Sequence, residues 1–243
     1  TAPNSEAGVE AVMQDLMDYQ VDGIIAASVS MSSNLASRAQ SSGIPVVLFN
    51  RGQDGPDFIN VTSDNLRGGR KVAEFLLAGG HGRIAHIAGW HGSTTGRDRK
   101  DGFLNALDEA GVEPVAVVDG MYKRDIAAQC TRQLLVGEAR PDAIFVGNDH
   151  MAFAVIDALR AEGLQPGTDI SVVGYDDVPL ASWGAYDLTT VRQPVNRMVD
   201  ATVERLLSRI EHPQSRSGSV LIDGDLILRG SARIPENWPH EGI

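Results

Sequence analysis

The chain has 243 residues, 42% of them apolar and 22% charged, which places it with ordinary globular chains and excludes a disordered one. Its 21 Lys and Arg against 32 Asp and Glu leave a net charge of −11, which opposes a broad grip on a polyanion such as DNA or RNA by these residues. A single cysteine, Cys130, excludes an internal disulfide framework and a cysteine-clustered metal site, and no apolar run reaches the ~18 residues of a membrane span.

In chain order, residues 6–20 predict an amphipathic helix, with Val9, Val12, Met13 and Leu16 on one face. A short apolar run over 21–27 predicts a strand, and a helix is expected to follow it as far as a cap at Gly43. The run 44–49 predicts a second strand, with Pro45 near its start, where no central ladder bond is lost. The same beat then repeats. Strands are expected over 58–62, 83–88, 115–118, 142–147 and 170–174, and helices over 64–78, 98–110, 125–136 and 149–162. These strands are continuous apolar runs, the pattern of parallel strands buried on both faces by helices. Beyond Gly174 the beat weakens to a short run at 188–191, a helix over 195–210 and one extended stretch over 219–229. The chain opens on a helix, whereas a doubly wound lobe opens on its central strand. Either an N-terminal segment absent from these residues or an incomplete first lobe is therefore expected.

Catalytic signatures are missing from these residues. There is no Gly-Lys pair for a Walker-A loop, no complete dinucleotide fingerprint at Gly80-His81-Gly82, no nucleophile elbow and no paired-histidine zinc helix. His86 falls inside a strand and Cys130 inside a helix, where structural roles are expected rather than a metal or a nucleophile. Neither an enzyme nor a cofactor is expected.

Polar residues gather where the predicted strands stop, the edge at which parallel α/β sheets bind ligands. These are Ser28, Asn50 and Arg51, the stretch Trp90 to Arg99, Tyr122, Asn148 with Asp149, and Tyr175 with Asp176 and Asp177. Amides, carboxylates, an arginine and aromatics suit a neutral polyhydroxyl ligand with a ring laid over its apolar face. Each also has a plainer reading. Asn148 could cap a helix, Asp176 could satisfy turn amides, Arg99 could be a helix-surface charge, and Tyr122 could be a half-buried loop aromatic.

Several blocks together resemble one family. They are Ser63 to Gly69, Gly80 to Gly89, Arg99 to Leu107, Pro141 to Ala152, Asp169 to Asp177 and Leu188 to Pro194, in this order and spacing. Over nearly its whole length the chain resembles the effector-binding core of the lactose-repressor (LacI-type) family of bacterial transcription regulators. The resemblance implies an α/β fold of two doubly wound parallel-sheet lobes joined by three crossovers, periplasmic-binding-protein-like (type I), with the N-terminal lobe incomplete. It implies an N-terminal lobe of residues 1–62 plus 193–219 and a C-terminal lobe of 63–192 plus 220–243. The effector would sit in the cleft between lobes and change their orientation. Arg99, Asn148 and Asp176 match family effector contacts, and Tyr122 falls where a stacking aromatic is common. Thr95 and Gln193 match positions that some members use. Asn50 stands where many members carry an Asp, which keeps an acceptor, adds donors and drops the charge.

The implied function is ligand sensing in a DNA-binding transcription regulator, a repressor, whose effector is a sugar or sugar derivative. A periplasmic sugar-binding protein of a transporter is the alternative on the same fold, since fold alone does not separate the two. The implied partners are a small carbohydrate effector, operator DNA through a helix-turn-helix outside these residues, and a second copy in a homodimer. No metal and no membrane are expected, and the implied location is cytoplasmic.

Overall fold

The computed structural model describes residues 6–27, 38, 41–52, 59–137, 139–214 and 218–239. Ser28, most of the helix expected before Gly43 and the first residue of the 58–62 strand lie outside them. The chain divides into two compact units, Thr1–Ser63 with Pro194–Ile222 and Asp64–Gln193 with Asp223–Ile243.

The smaller unit is built on β1 (Ile24–Ala27), β2 (Val46–Phe49), β3 (Ile59–Ser63) and β9 (Gly218–Ile222), in the order β1-β2-β3-β9. All three pairings are parallel. The two-residue period of the strands sorts their side chains between two helices. Ile24, Ala26 and Leu48 meet Met13, Leu16 and Met17 of α1 (Glu6–Asp18) on one face. Val47, Ile59 and Val61 meet Met198, Ala201 and Leu206 of α6 (Val195–Glu211) on the other.

The larger unit holds a six-stranded sheet of order β10-β8-β7-β6-β4-β5. Its strands are β4 (Ile84–Ala88), β5 (Ala116–Asp119), β6 (Ala143–Val146), β7 (Ser171–Asp176), β8 (Thr189–Arg192) and β10 (Leu226–Ile227). All neighbours run parallel except β10 against β8. Every residue of β4 and β6 is buried, which explains why both are apolar apart from His86. One face is covered by Phe75 and Leu76 of α2 (Asn65–Ala78) and by Phe103 and Leu107 of α3 (Thr94–Glu109). The opposite face is covered by Ala127 of α4 (Arg124–Val136) and by Phe153, Ile156 and Leu159 of α5 (Asp149–Ala161).

Two glycines fix how α2 meets α3. A Cβ on Gly69 would stand 2.0 Å from the Arg99 carbonyl oxygen, and one on Gly102 would stand 1.9 Å from that of Leu66. The helices therefore touch backbone to backbone, an approach that only glycine permits. Gly68 likewise makes room for the Tyr175 ring, whose hydroxyl would lie 2.3 Å from an added Cβ.

Three expectations about element limits are corrected. α3 starts at Thr94 rather than 98, because Ser93 caps it by accepting the Gly96 amide hydrogen at 3.4 Å. Thr95 is thus helical rather than part of a loop. β7 continues through Tyr175 and Asp176, which pair in register with Val191 and Arg192 of β8 instead of following the strand. The stretch 219–229 is not one strand: β9 joins the smaller sheet and β10 the larger, with Asp223–Asp225 between them. Burial on both faces also fails for β1, where buried and exposed residues alternate.

Candidate functional site

The parallel strands of the larger unit all end on one edge, and that edge carries the polar cluster. Its centre is Arg99, on α3 and only 4% exposed. The guanidinium donates from Nε to Asn65 Oδ1 at 2.9 Å, from Nη1 to the Gly147 carbonyl at 2.7 Å and from Nη2 to Asp176 Oδ1 at 3.3 Å. It also stacks on the Tyr175 ring, 3.7 Å from the centroid. Burial works against its charge, but Asp176, Tyr175, Tyr122 and Asp149 outweigh that effect, and the net direction of its pKa is upward. Arg99 is a fixed, permanently charged wall and not the surface charge of its plainer reading.

Asp176 receives a second donor, Gln193 Nε2, at 2.6 Å, while the Gln193 amide hydrogen bonds the Asp176 carbonyl. Arg99, Asp176 and Gln193 are thereby brought together. The next residue, Asp177, is neutralised by Arg192 at 2.6 Å and Arg229 at 2.7 Å. Asn148 caps α5, with its Oδ1 accepting the Met151 amide hydrogen at 3.0 Å. That bond leaves its Nδ2 donors on the same strand edge, so the capping and ligand-contact readings are compatible.

Tyr122 lies between β5 and α4 with φ of 56°. Its ring fills the space over Gly89 and Gly96, where a Cβ would come within 2.1 Å of Cζ and 2.8 Å of the hydroxyl. Thr95 is buried in the first turn of α3 with its hydroxyl 2.7 Å from that of Ser93. It lies one turn before Arg99, on the same helix face. Asn50 belongs to the smaller unit, where it follows β2 with φ of 65° and its amide hydrogen bonds the Val61 carbonyl.

Asn65 was not among the expected site residues, and Tyr175 and Asp149 stood there only as strand-end candidates with no match to a family effector contact. Asn65 opens α2 directly after its cap Asp64, and Tyr175 supplies the ring beneath Arg99. Asp149 is fully buried, and its carboxyl is pushed up to about 7 by burial and then by Asp176. A sequence signal for Asp149 exists: Gly174 interrupts an otherwise bulky strand, and an added Cβ there would meet Asp149 Oδ1 at 2.4 Å.

The two histidines inside or beside β4 take structural roles. His86 Nδ1 lies 3.0 Å from the Phe145 carbonyl and its ring stacks on Phe145 at 4.6 Å, with burial lowering its pKa to about 4. His81 packs 3.4 Å from Asp142, and burial also moves its pKa down. Among the described residues no group of three His, Cys, Asp or Glu side chains could hold a metal ion, and no helix is long and apolar enough to cross a membrane.

An α/β chain with parallel sheets and a buried arginine–carboxylate cluster at strand ends defines a ligand-binding class of protein. Residues 73–232 match the family described as a periplasmic binding protein-like domain. The probable transcriptional repressor ExuR of Bacillus subtilis is 31% identical over 231 residues, which cover 91% of this chain and 69% of that protein. A structure of the transcriptional regulator CelR in complex with cellobiose is 30% identical with a TM-score of 0.85, covering 94% of this chain and 71% of that one. The lac repressor dimer bound to operator and the anti-inducer ONPF gives 28% identity and a TM-score of 0.84 over 94% of this chain and 80% of that one. The chain belongs to the LacI family of transcription repressors and carries their periplasmic-binding-protein-like core.

Proposed function

We propose that this chain is the ligand-sensing core of a repressor, and that a neutral sugar or sugar derivative contacts Arg99, Asp176, Gln193 and Asn148 at the strand edge of the larger unit. Tyr122 and Thr95 extend that surface. The observation that carries the reading is the pairing of Arg99. Its charge is met by Asp176 at 3.3 Å, so a carboxylate or phosphate arriving there faces an anion rather than an open cation. Sugar hydroxyls, which donate and accept at once, can bridge the Arg99 donors and the Asp176 acceptors. The cellobiose complex of the related regulator supports the same ligand class.

We extend the reading to partners. The chain works as a homodimer on operator DNA through a helix-turn-helix outside these 243 residues, in line with the lac repressor dimer bound to operator. Its two compact units act as the lobes whose orientation the effector changes.

Titration calorimetry with D-ribose, cellobiose, D-glucuronate and adenine tests the ligand class. A neutral sugar is expected to bind, with Asp176→Ala weakening it by about tenfold or more through the partner groups left unpaired. Binding of glucuronate or adenine alone, or an unchanged sugar affinity in Asp176→Ala, overturns the reading.

A further inference from the structure

The backbone that carries Asp176 is in an unusual conformation. Asp176 has φ of 127° and Asp177 has φ of 56°, consecutive positive values that L residues adopt only when surrounding structure holds them. One buried group contacts both sides of this turn. Asp149, the first residue of α5, accepts the Val178 amide hydrogen on Oδ2 at 2.9 Å and the Thr190 hydroxyl on Oδ1 at 2.6 Å. Val178 lies two residues past Asp176, and Thr190 lies on β8 opposite Gly174 of β7. Gly174 is what allows the carboxylate to sit against the strand.

We propose that Asp149 is a positioning residue for the effector site: by holding the Val178 amide and Thr190 it fixes the Asp176–Asp177 turn that aims Asp176 at Arg99 and Gln193. The inference rests on the reading of that cluster as the effector site, and the test below separates the two.

Hydrogen-bond chemistry says which of the two contacts is essential. The Thr190 hydroxyl can turn and accept, whereas the Val178 amide can only donate. A proton on Oδ1, or an amide nitrogen in its place, is therefore met by Thr190 while the other oxygen still holds Val178. The charged groups facing Asp149 are Asp176 and Asp177 from the turn and Arg99 from α3. Asp176 and Asp177 oppose its ionisation, as does burial, while Thr190 and Val178 favour it. Asp149→Asn should thus preserve the turn without a titrating charge, and Asp149→Leu should release it.

The test combines an NMR titration of the Val178 amide in the whole chain with calorimetry using D-ribose and cellobiose. In the parent chain the Val178 amide shift is expected to titrate near neutral pH. In Asp149→Asn that titration should vanish, with sugar affinity held within about threefold. Asp149→Leu should lose about tenfold or more in affinity. Should Asp149→Leu not fold, Thr190→Val serves instead. It removes a bond that favours the carboxylate, so the Val178 midpoint should move to higher pH. A Val178 amide indifferent to pH, or Asp149→Leu binding sugar like the parent, overturns the proposal. If Val178 titrates and Asp149→Asn silences it while neither sugar binds, the hold on the turn stands and the sugar reading is what fails.

Discussion

The smaller and larger sheets are assembled from the same kind of strand, yet their surroundings differ. In the six-stranded sheet β4 and β6 have no exposed residue, and four helices supply Phe75, Phe103, Ala127 and Phe153 to its two faces. In the four-stranded sheet Ile25 of β1 is 48% exposed, β9 is mostly exposed, and α6 leaves Val195, Val199, Val203 and Leu207 open along one flank. An apolar run identifies a strand in both places, but it does not reveal whether both faces are covered. The geometry needed to bury Arg99 and hold a positive-φ turn is found in the unit with the closed core, where packing can oppose the strain.

The largest expected contrast between the two units is in the cost of truncation. Phe153→Ala empties a site closed on all sides and should destabilise by about 3–5 kcal/mol in urea unfolding. Val203→Ala on the open flank should change stability by less than about 0.5 kcal/mol. Equal costs would show that the flank is covered in solution.

The next effect depends on pH. Asp149 has its folded-state pKa raised from the model-compound value of 3.8 to about 7. The sign follows from linkage: the folded state holds this proton more tightly, so the contribution is fully present below about pH 4 and is lost as pH rises through about 7. The change is of order a few kcal/mol. Asp149→Asn should flatten that part of the stability–pH curve, which unfolding at pH 5, 6, 7 and 8 would measure. A curve of the same shape in both chains removes Asp149 as its source.

A smaller effect is expected where α2 meets α3. Gly69→Ala would drive a methyl group into the Arg99 carbonyl and force the helices apart, at a cost of about 1–3 kcal/mol. The comparison is Gly82→Ala, which meets nothing within 4 Å and has no positive φ. Because Arg99 sits on the displaced helix, Gly69→Ala should also weaken sugar binding, whereas Gly82→Ala should leave it unchanged. Calorimetry on both variants separates a packing effect on the site from a general one.

Much of this architecture is legible in the amino-acid order because the physics behind it is local. An unbroken apolar run marks β6, mostly apolar runs mark β4 and β7, and the 3.6-residue period marks α2 and α5. What is not legible depends on groups far apart in the chain. The environment of Arg99 comes from Asn65 on α2, Gly147 after β6, and Tyr175 and Asp176 on β7, three places far apart in the chain, so a surface charge and a buried wall look alike in the sequence. The early start of α3 turns on one serine hydroxyl at Ser93, and the length of β7 on its register with β8. Asp149 reads as an ordinary acidic residue in a first helical turn, favoured there by the helix dipole, until Gly174 and Thr190 are seen against it.

The smallest stability effect carries the sharpest test of the contrast between the two units. Val199 and Val203 are 45% and 44% exposed and lie one helical turn apart, with Asp200 and Glu204 beside them on the outer face of α6. Replacing both with lysine removes two β-branched residues from a helix interior, which favours the helix by a few tenths of a kcal/mol. It also sets a cation three residues from Asp200, a pairing worth about 0.2–0.5 kcal/mol, which the repulsion between the two lysines four residues apart offsets by a similar amount. The net change in unfolding free energy for V199K/V203K should therefore be near zero or slightly stabilising. Association should respond more strongly, because a continuous apolar flank along α6 attracts further chain, and two charges in its middle oppose that. Sedimentation velocity over a concentration series should show the parent chain gaining mass at lower concentration than V199K/V203K. If the double variant instead loses more than about 1 kcal/mol in unfolding, the flank is a packed surface and its valines belong to a core. The smaller unit would then be as closed as the larger one, and the difference between them would lie in the Arg99 cluster alone.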